Sequence, residues 1–157
     1  MQKLKTYDVD VNNPFFDLIR NQKEQYVSGI LDGYEEQYAS LLKQTTGLNI
    51  QILSSWSNKT IFDNEENTFP WHDHTGEGDK SAAQKQQGTY SGILWIAGDE
   101  NCGGDLNVMI DNDIESIPFQ VGKFITLSND VFHKVTHYYG STTRTSLMIS
   151  YEVVNDS

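Results

Sequence analysis

The sequence predicts a mainly β chain with its helices gathered at the N-terminal end, and two observations carry that expectation. Apolar residues recur every three or four positions up to residue 46 and every second position from residue 48 onward. Turn-forming clusters then punctuate the chain at short intervals: Asp99-Glu100-Asn101, Asp111-Asn112-Asp113, Gly122, Asn129-Asp130 and Gly140-Ser141. Many short strands between frequent turns point to an antiparallel sandwich or barrel. No helical run follows residue 48, which argues against an alternating α/β sheet. The expected architecture is a helical layer, residues 14–46, on one face of an antiparallel double-stranded β-helix, residues 48–154. This is a jelly roll of cupin-like type, and residues 1–157 are expected to form one domain.

The helical stretch opens at Asn12-Asn13-Pro14, a cap followed by a proline in the first turn. Phe15, Leu18, Ile19, Tyr26, Ile30, Tyr34, Tyr38, Leu41 and Leu42 then keep mostly helical spacings. Gly29 and Gly33 are expected to divide it into two helices, and Gly47 to end the second. The aromatic stripe reads as core. Strands are expected at Leu48–Trp56, Thr68–His74, Thr89–Ala97, Asp105–Ile110, Glu115–Phe119, Lys123–Ser128, Val131–Tyr138 and Arg144–Val154. Thr75–Gln87 has no period and exceeds the usual connection length, as functional lids and disordered segments do.

Composition narrows the function. The 157 residues suit a single domain with its own core. Twenty-two acidic against eleven basic residues give a net charge of −11. So acidic a surface repels phosphate backbones and anionic lipid, so neither nucleic acid nor membrane is an expected partner. Cys102 is the single cysteine, which excludes an internal disulfide and a cysteine-based zinc site. The residues after Met1 show no secretory pattern, and no apolar run reaches the ~20 residues of a membrane span. A cytoplasmic protein is expected.

The four histidines fall into two pairs, His72 with His74 and His133 with His137. Each pair lies on an expected strand at an even separation, so its members share one face. A lone histidine is more often a satisfied or surface side chain. Two same-face pairs on distant strands shift the balance toward metal, because imidazoles with open positions beside them suit non-haem iron.

From Trp56 to Val154 the chain resembles the short prolyl-hydroxylase-like 2-oxoglutarate/Fe(II)-dependent oxygenases of phages and bacteria. The matching pieces stand in the family's order: Phe69-Pro70-Trp71-His72-Asp73-His74, Ser91-Gly92-Ile93-Leu94-Trp95, Gly103-Gly104-Asp105-Leu106, Pro118 with Gly122–Leu127, His133-Lys134-Val135, and Arg144-Thr145-Ser146. The resemblance implies Fe(II) as cofactor and 2-oxoglutarate as cosubstrate, with His133 as the distal metal ligand. One departure is informative: the family's first motif is His-x-Asp, and here His74 stands where the aspartate would be. Three readings stay open. His72, His74 and His133 form a three-histidine site; Asp73 supplies the carboxylate; or His74-Thr75-Gly76 resembles the His-x-Gly of halogenases, with a halide in the gap. Strand alternation favours the first.

The resemblance further implies that Arg144 pairs with the far carboxylate of 2-oxoglutarate, with Ser146 beside it and Tyr90 as a third donor. The bland alternatives are a surface ion pair for Arg144 and a core ring for Tyr90. His137, on the His133 strand face, is either a group behind the metal ligands or a half-exposed polar residue. The implied reaction consumes 2-oxoglutarate, releases succinate and hydroxylates a C–H bond of a peptide side chain or small molecule. The rivals are a three-histidine dioxygenase that does not use 2-oxoglutarate and a metal-binding cupin-like protein without turnover.

Overall fold

The computed structural model describes residues 3–61 and 89–154. Its strands are β1 (Leu4–Asp8), β2 (Tyr26–Ser28), β3 (Ile50–Thr60), β4 (Thr89–Ala97), β5 (Leu106–Ile110), β6 (Asp113–Ile117), β7 (Lys123–Ser128), β8 (Phe132–Val135) and β9 (Arg144–Val153). Two helices, α1 (Asp17–Arg20) and α2 (Glu35–Thr46), precede β3, and a 3-10 turn at Pro14–Phe16 leads into α1. The strands form a major sheet in the order β1-β7-β4-β9-β3-β2 and a minor sheet in the order β6-β5-β8. All described pairings are antiparallel. This is the jelly-roll architecture that the period-two pattern predicts.

Alternation along β4, β7 and β9 sends apolar side chains to both faces of the major sheet, so both must be covered. On the outer face Leu94, Ile96, Phe124, Leu147, Ile149 and Tyr151 pack with Phe16, Ile19, Leu31, Tyr38 and Leu42. On the inner face Trp95, Ile125 and Leu127 pack with Leu106 and Val108 of the minor sheet and with Phe119 and Val131. Each such side chain contributes roughly 1.5–3 kcal/mol of burial. Two apolar cores thus clamp the sheet from opposite sides.

Residues 14–46 are not one helical layer broken by glycine. Helix occupies the two ends, and β2 lies between them, paired with β3 through Tyr26–Asn58, Val27–Ser57 and Ser28–Trp56. Tyr26 is 57% exposed, so it is no part of a buried stripe. The physical reason is competition. Tyr-Val-Ser-Gly is a poor helix former, whereas β3 would otherwise present an open edge of backbone donors and acceptors. Further contacts hold the crossing: Gln22 bonds Ser57, and Lys59 Nζ donates to the carbonyls of Arg20 and Gln22 at 2.7 and 2.6 Å. Gly47 does end α2, in the left-handed region (φ 79°), with its N–H on Lys43 O.

β4 and β7 have the bounds read from the sequence. β3 runs on to Thr60, and β8 stops at Val135 rather than at Tyr138. β1, pairing Leu4 to Leu127 and Asp8 to Lys123, was not anticipated, because its five residues carry little apolar alternation. The expected strand Thr68–His74 and loop Thr75–Gln87 lie outside the described residues. Among the described residues no helix is long and apolar enough to cross a membrane.

Candidate functional site

Register fixes which side chains share the inner face of the major sheet. One row runs Tyr26, Asn58, Ser146, Trp95 across β2, β3, β9 and β4, and the next runs Ser28, Trp56, Met148, Ile93. Thr60 stands opposite Arg144 at the start of β9. With His133 and Val135 of β8 and Leu106 of β5, these rows, Ser28 apart, line a cavity of about 560 Å³. That is within the size range of small-molecule sites. Among the described lining residues Arg144 and Lys59 carry the positive charge and none is Asp or Glu, in a chain of net charge −11. The Lys59 ammonium is committed to the Arg20 and Gln22 carbonyls.

Arg144 dominates the electrostatics. It is 5% exposed. Nε and Nη2 donate to Gly104 O at 3.2 and 2.9 Å, and Nη1 donates to Ser146 Oγ at 2.9 Å. The guanidinium lies 5.6 Å from the Trp95 ring and 5.2 Å from the Phe119 ring, within cation–π range of both. The two salt bridges among the described residues lie elsewhere, and neither involves Arg144. Asp105 is close enough to favour the charge, yet its Oδ1 accepts Phe119 N–H at 2.7 Å. Burial is the larger influence: it draws the guanidinium down to about 10, against the opposing pull of Tyr138 and Asp105. The side chain is still a cation at neutral pH. Of its five N–H groups three are engaged, which leaves one on each terminal nitrogen. Trp95, in the same wall, has a buried Nε1–H with no acceptor among the described residues.

The double glycine explains how so large a side chain fits. Gly103 and Gly104 both adopt left-handed backbone, with φ of 71° and 72°. A Cβ on Gly104 would stand 2.7 Å from Arg144 Nε, and one on Gly103 would strike the His137 carbonyl. The chain therefore needs glycine twice in succession to turn sharply while its carbonyl faces the guanidinium.

His133 is 5% exposed and lines the cavity from β8. Its Nδ1 lies 3.0 Å from Val131 O. A carbonyl can only accept, so this bond holds the proton on Nδ1 and makes Nε2 the nitrogen with the ligating lone pair.

The cavity thus brings together His133, Arg144 and Ser146 of the residues singled out in the sequence. Tyr90 is not among them. It sits inside β4, one residue before Ser91, so alternation turns it to the outer face, where its ring stacks on Tyr151 at 5.6 Å and packs on the helical core. His137 lies beyond the end of β8, where the two-residue period no longer applies, and its ring is 6.4 Å from that of Tyr139. His72, His74 and Asp73 fall outside the described residues, and among the described residues no cluster of three metal-ligating side chains occurs. The sequence reading missed the role of Phe119 against the guanidinium, and it missed Asp99 and Tyr138, which brace the turn before β9. No periodic signal marks these, because each acts through the loop contacts of its own turn.

No protein-family model matches the chain, and no curated protein matches it. Solved structures do. EctD from S. alaskensis, determined with 2-oxoglutarate and 5-hydroxyectoine, is 11% identical with a TM-score of 0.69 over 97% of this chain and 72% of its own. A Pseudomonas putida prolyl-4-hydroxylase is 14% identical with a TM-score of 0.62 over 99% of this chain and 95% of its own. A 2OG-Fe(II) oxygenase family oxidoreductase from Burkholderia pseudomallei is 17% identical with a TM-score of 0.54, over 98% and 67%. At such identities the likeness is one of fold, and the chain has the jelly-roll fold of the 2-oxoglutarate/Fe(II)-dependent oxygenases.

Proposed function

We propose that this chain is a single-domain, cytoplasmic, Fe(II)- and 2-oxoglutarate-dependent oxygenase that hydroxylates a C–H bond of a small molecule or peptide side chain. The observation that carries the proposal is Arg144: a buried guanidinium in a cavity wall, with an N–H to spare on each terminal nitrogen and no carboxylate partner among the described residues. A buried cation with no carboxylate within ion-pair distance is costly, and a planar fork is the shape that receives a carboxylate in two parallel bonds. A dicarboxylate cosubstrate supplies that anion. The fold is the one in which EctD was determined with 2-oxoglutarate.

The chain's own groups then take distinct parts. Arg144 holds the far carboxylate. Ser146 Oγ, which accepts from Nη1, keeps its own proton to donate beside it. Trp95 and Phe119 keep water from the fork and strengthen its field. His133 offers Nε2 to the metal, held in that tautomer by Val131 O. His72 and His74 are proposed as the remaining protein ligands, with Asp73 as the competing choice. Fe(II) with 2-oxoglutarate and dioxygen would supply the oxidising chemistry, yielding succinate, carbon dioxide and the hydroxylated product.

The test is slow turnover without the natural substrate. Purified protein with Fe(II), ascorbate and 2-oxoglutarate should release succinate in air, and His133→Ala should reduce release to the protein-free rate. No succinate above that background from the wild type, at any Fe(II) concentration, would refute the proposal.

A further inference from the structure

We infer that Asp99 is a positioning residue for Arg144: its carboxylate fixes the turn that feeds β9, and so sets where the guanidinium stands in the cavity wall. Asp99 lies two residues past the end of β4. Its Oδ2 accepts from Ser141 N at 2.6 Å, Ser141 Oγ at 3.0 Å and Thr142 N at 3.1 Å, and its Oδ1 accepts from Thr142 Oγ1 at 2.7 Å. Both carboxylate oxygens are thus engaged, three donors sharing Oδ2 and one on Oδ1. The clasp closes from the other side as well. Asp99 N donates to Tyr138 Oη at 2.9 Å, and Tyr138 Oη donates to Thr142 O at 2.5 Å. The N–H, hydroxyl and carbonyl of Thr142 are thus all held by this pair, two residues before Arg144.

The other end of the turn is anchored to the Cys102–Gly104 segment, which meets the guanidinium. Gly104 N donates to His137 O at 3.1 Å, and Tyr139 N donates to Cys102 O at 2.9 Å. Gly104 O is the carbonyl that receives Arg144 Nε and Nη2. Arg144 is therefore located by two ties, the Cys102–Gly104 backbone at its head and the Asp99 clasp at its root. The root tie is made by side chains and can be removed singly. Gly140 is required within the same turn, since a Cβ there would strike Tyr138 Oη. A charged acceptor makes each of these bonds stronger than a neutral one would. Asp99 lines neither the cavity nor the proposed ligand site, so its influence passes through the turn that it and Tyr138 hold.

The consequence for cosubstrate binding rests on the Arg144 role proposed above, whereas the positional claim does not. Asp99→Asn keeps the size of the side chain but replaces an acceptor oxygen with a donor facing donors. The primary readout is hydrogen exchange at Arg144 Nε–H, followed by NMR in the ligand-free protein and identified by its absence in Arg144→Lys. Exchange should quicken at least about tenfold in Asp99→Asn. Calorimetry should then show 2-oxoglutarate affinity falling about tenfold, a displacement effect on a fixed contact, while Zn(II) affinity stays within about twofold. A general loosening of the fold would lower both affinities together, and that result overturns the inference, as does wild-type exchange in a folded Asp99→Asn protein. Should Asp99→Asn fail to fold, Thr142→Val, which removes one of the four bonds, must show a smaller quickening of the same signal; none overturns the inference. Quickened exchange in a protein whose wild type binds no 2-oxoglutarate would leave the positioning role standing and remove the oxygenase reading.

Discussion

Arg144→Met separates what Arg144 does for the fold from what it does for a ligand. Methionine keeps most of the side-chain volume and can pack on Trp95 and Phe119 through its sulfur, while losing the cation–π contacts with both rings. It removes three hydrogen bonds, to Gly104 O twice and to Ser146 Oγ. It also removes a buried charge with no ion-pair partner among the described residues, one that burial already pulls down to about 10. These effects oppose each other in the ligand-free protein, and replacing buried charge by apolar volume is often neutral or stabilising. Ligand-free stability should therefore change by no more than about 1 kcal/mol. The bound state has no such offset. Two charge-assisted bonds to a carboxylate are worth about 3–4 kcal/mol together, which at about 1.4 kcal/mol per decade is a loss of roughly 10²–10³-fold in affinity. The assay is anaerobic calorimetry with 2-oxoglutarate, paired with thermal melts. At a concentration 100 times its wild-type dissociation constant the ligand should stabilise the wild type by about 2.7 kcal/mol and Arg144→Met by no more than about 0.4 kcal/mol. A variant whose affinity lies within threefold of the wild type would refute the assignment of Arg144 to the carboxylate.

Other consequences follow from the same geometry. Gly104→Ala places a Cβ 2.7 Å from Arg144 Nε at a backbone φ of 72°, so stability should fall by about 1–3 kcal/mol in chemical denaturation, with a matching loss of 2-oxoglutarate affinity. Tyr90→Phe should leave that affinity unchanged, since the Tyr90 ring faces the helical layer; a tenfold loss would contradict the strand parity on which the site is built. Asp99 is held at about 2, below the usual 3.8, chiefly by its bonds to Thr142 and then to Ser141. A carboxyl lowered on folding adds stability that is complete above about pH 4 and is lost as pH falls through 2. The difference in stability between wild type and Asp99→Asn should accordingly hold steady from pH 7 to pH 4 and shrink below it, as acid titrations of the melting temperature would show.

The sequence carried the β architecture because alternation is a direct imprint of a two-faced sheet, and in β4 and β7 it gave even the strand bounds. The family resemblance points to Arg144, Ser146 and His133, and the fold brings them together because each sits at an inward position of a strand. Tyr90 failed by the same rule: it is one residue from an inward position, and a shift of one reverses the face. The helical expectation for residues 21–34 failed because spacing cannot register an unpaired strand edge elsewhere in the fold, and β3 supplied one. Phe119, Tyr138 and Asp99 were illegible for a related reason. Their partners are 42 or 43 residues away for Asp99 and lie in irregular turns, where no periodicity relates sequence to position. The double glycine stands among the pieces of the family resemblance, whereas its steric purpose, room for Arg144, appears only in three dimensions.

The most direct measurement is an anaerobic titration of the full chain with Fe(II) and then 2-oxoglutarate, followed by visible absorbance. A charge-transfer band should grow to saturation at one equivalent of each, should vanish in His133→Ala, and should require far more 2-oxoglutarate in Arg144→Met. Absence of the band in the wild type, or a band of equal strength and affinity in both variants, would contradict the pairing of one imidazole and one guanidinium in this cavity as the metal and cosubstrate site.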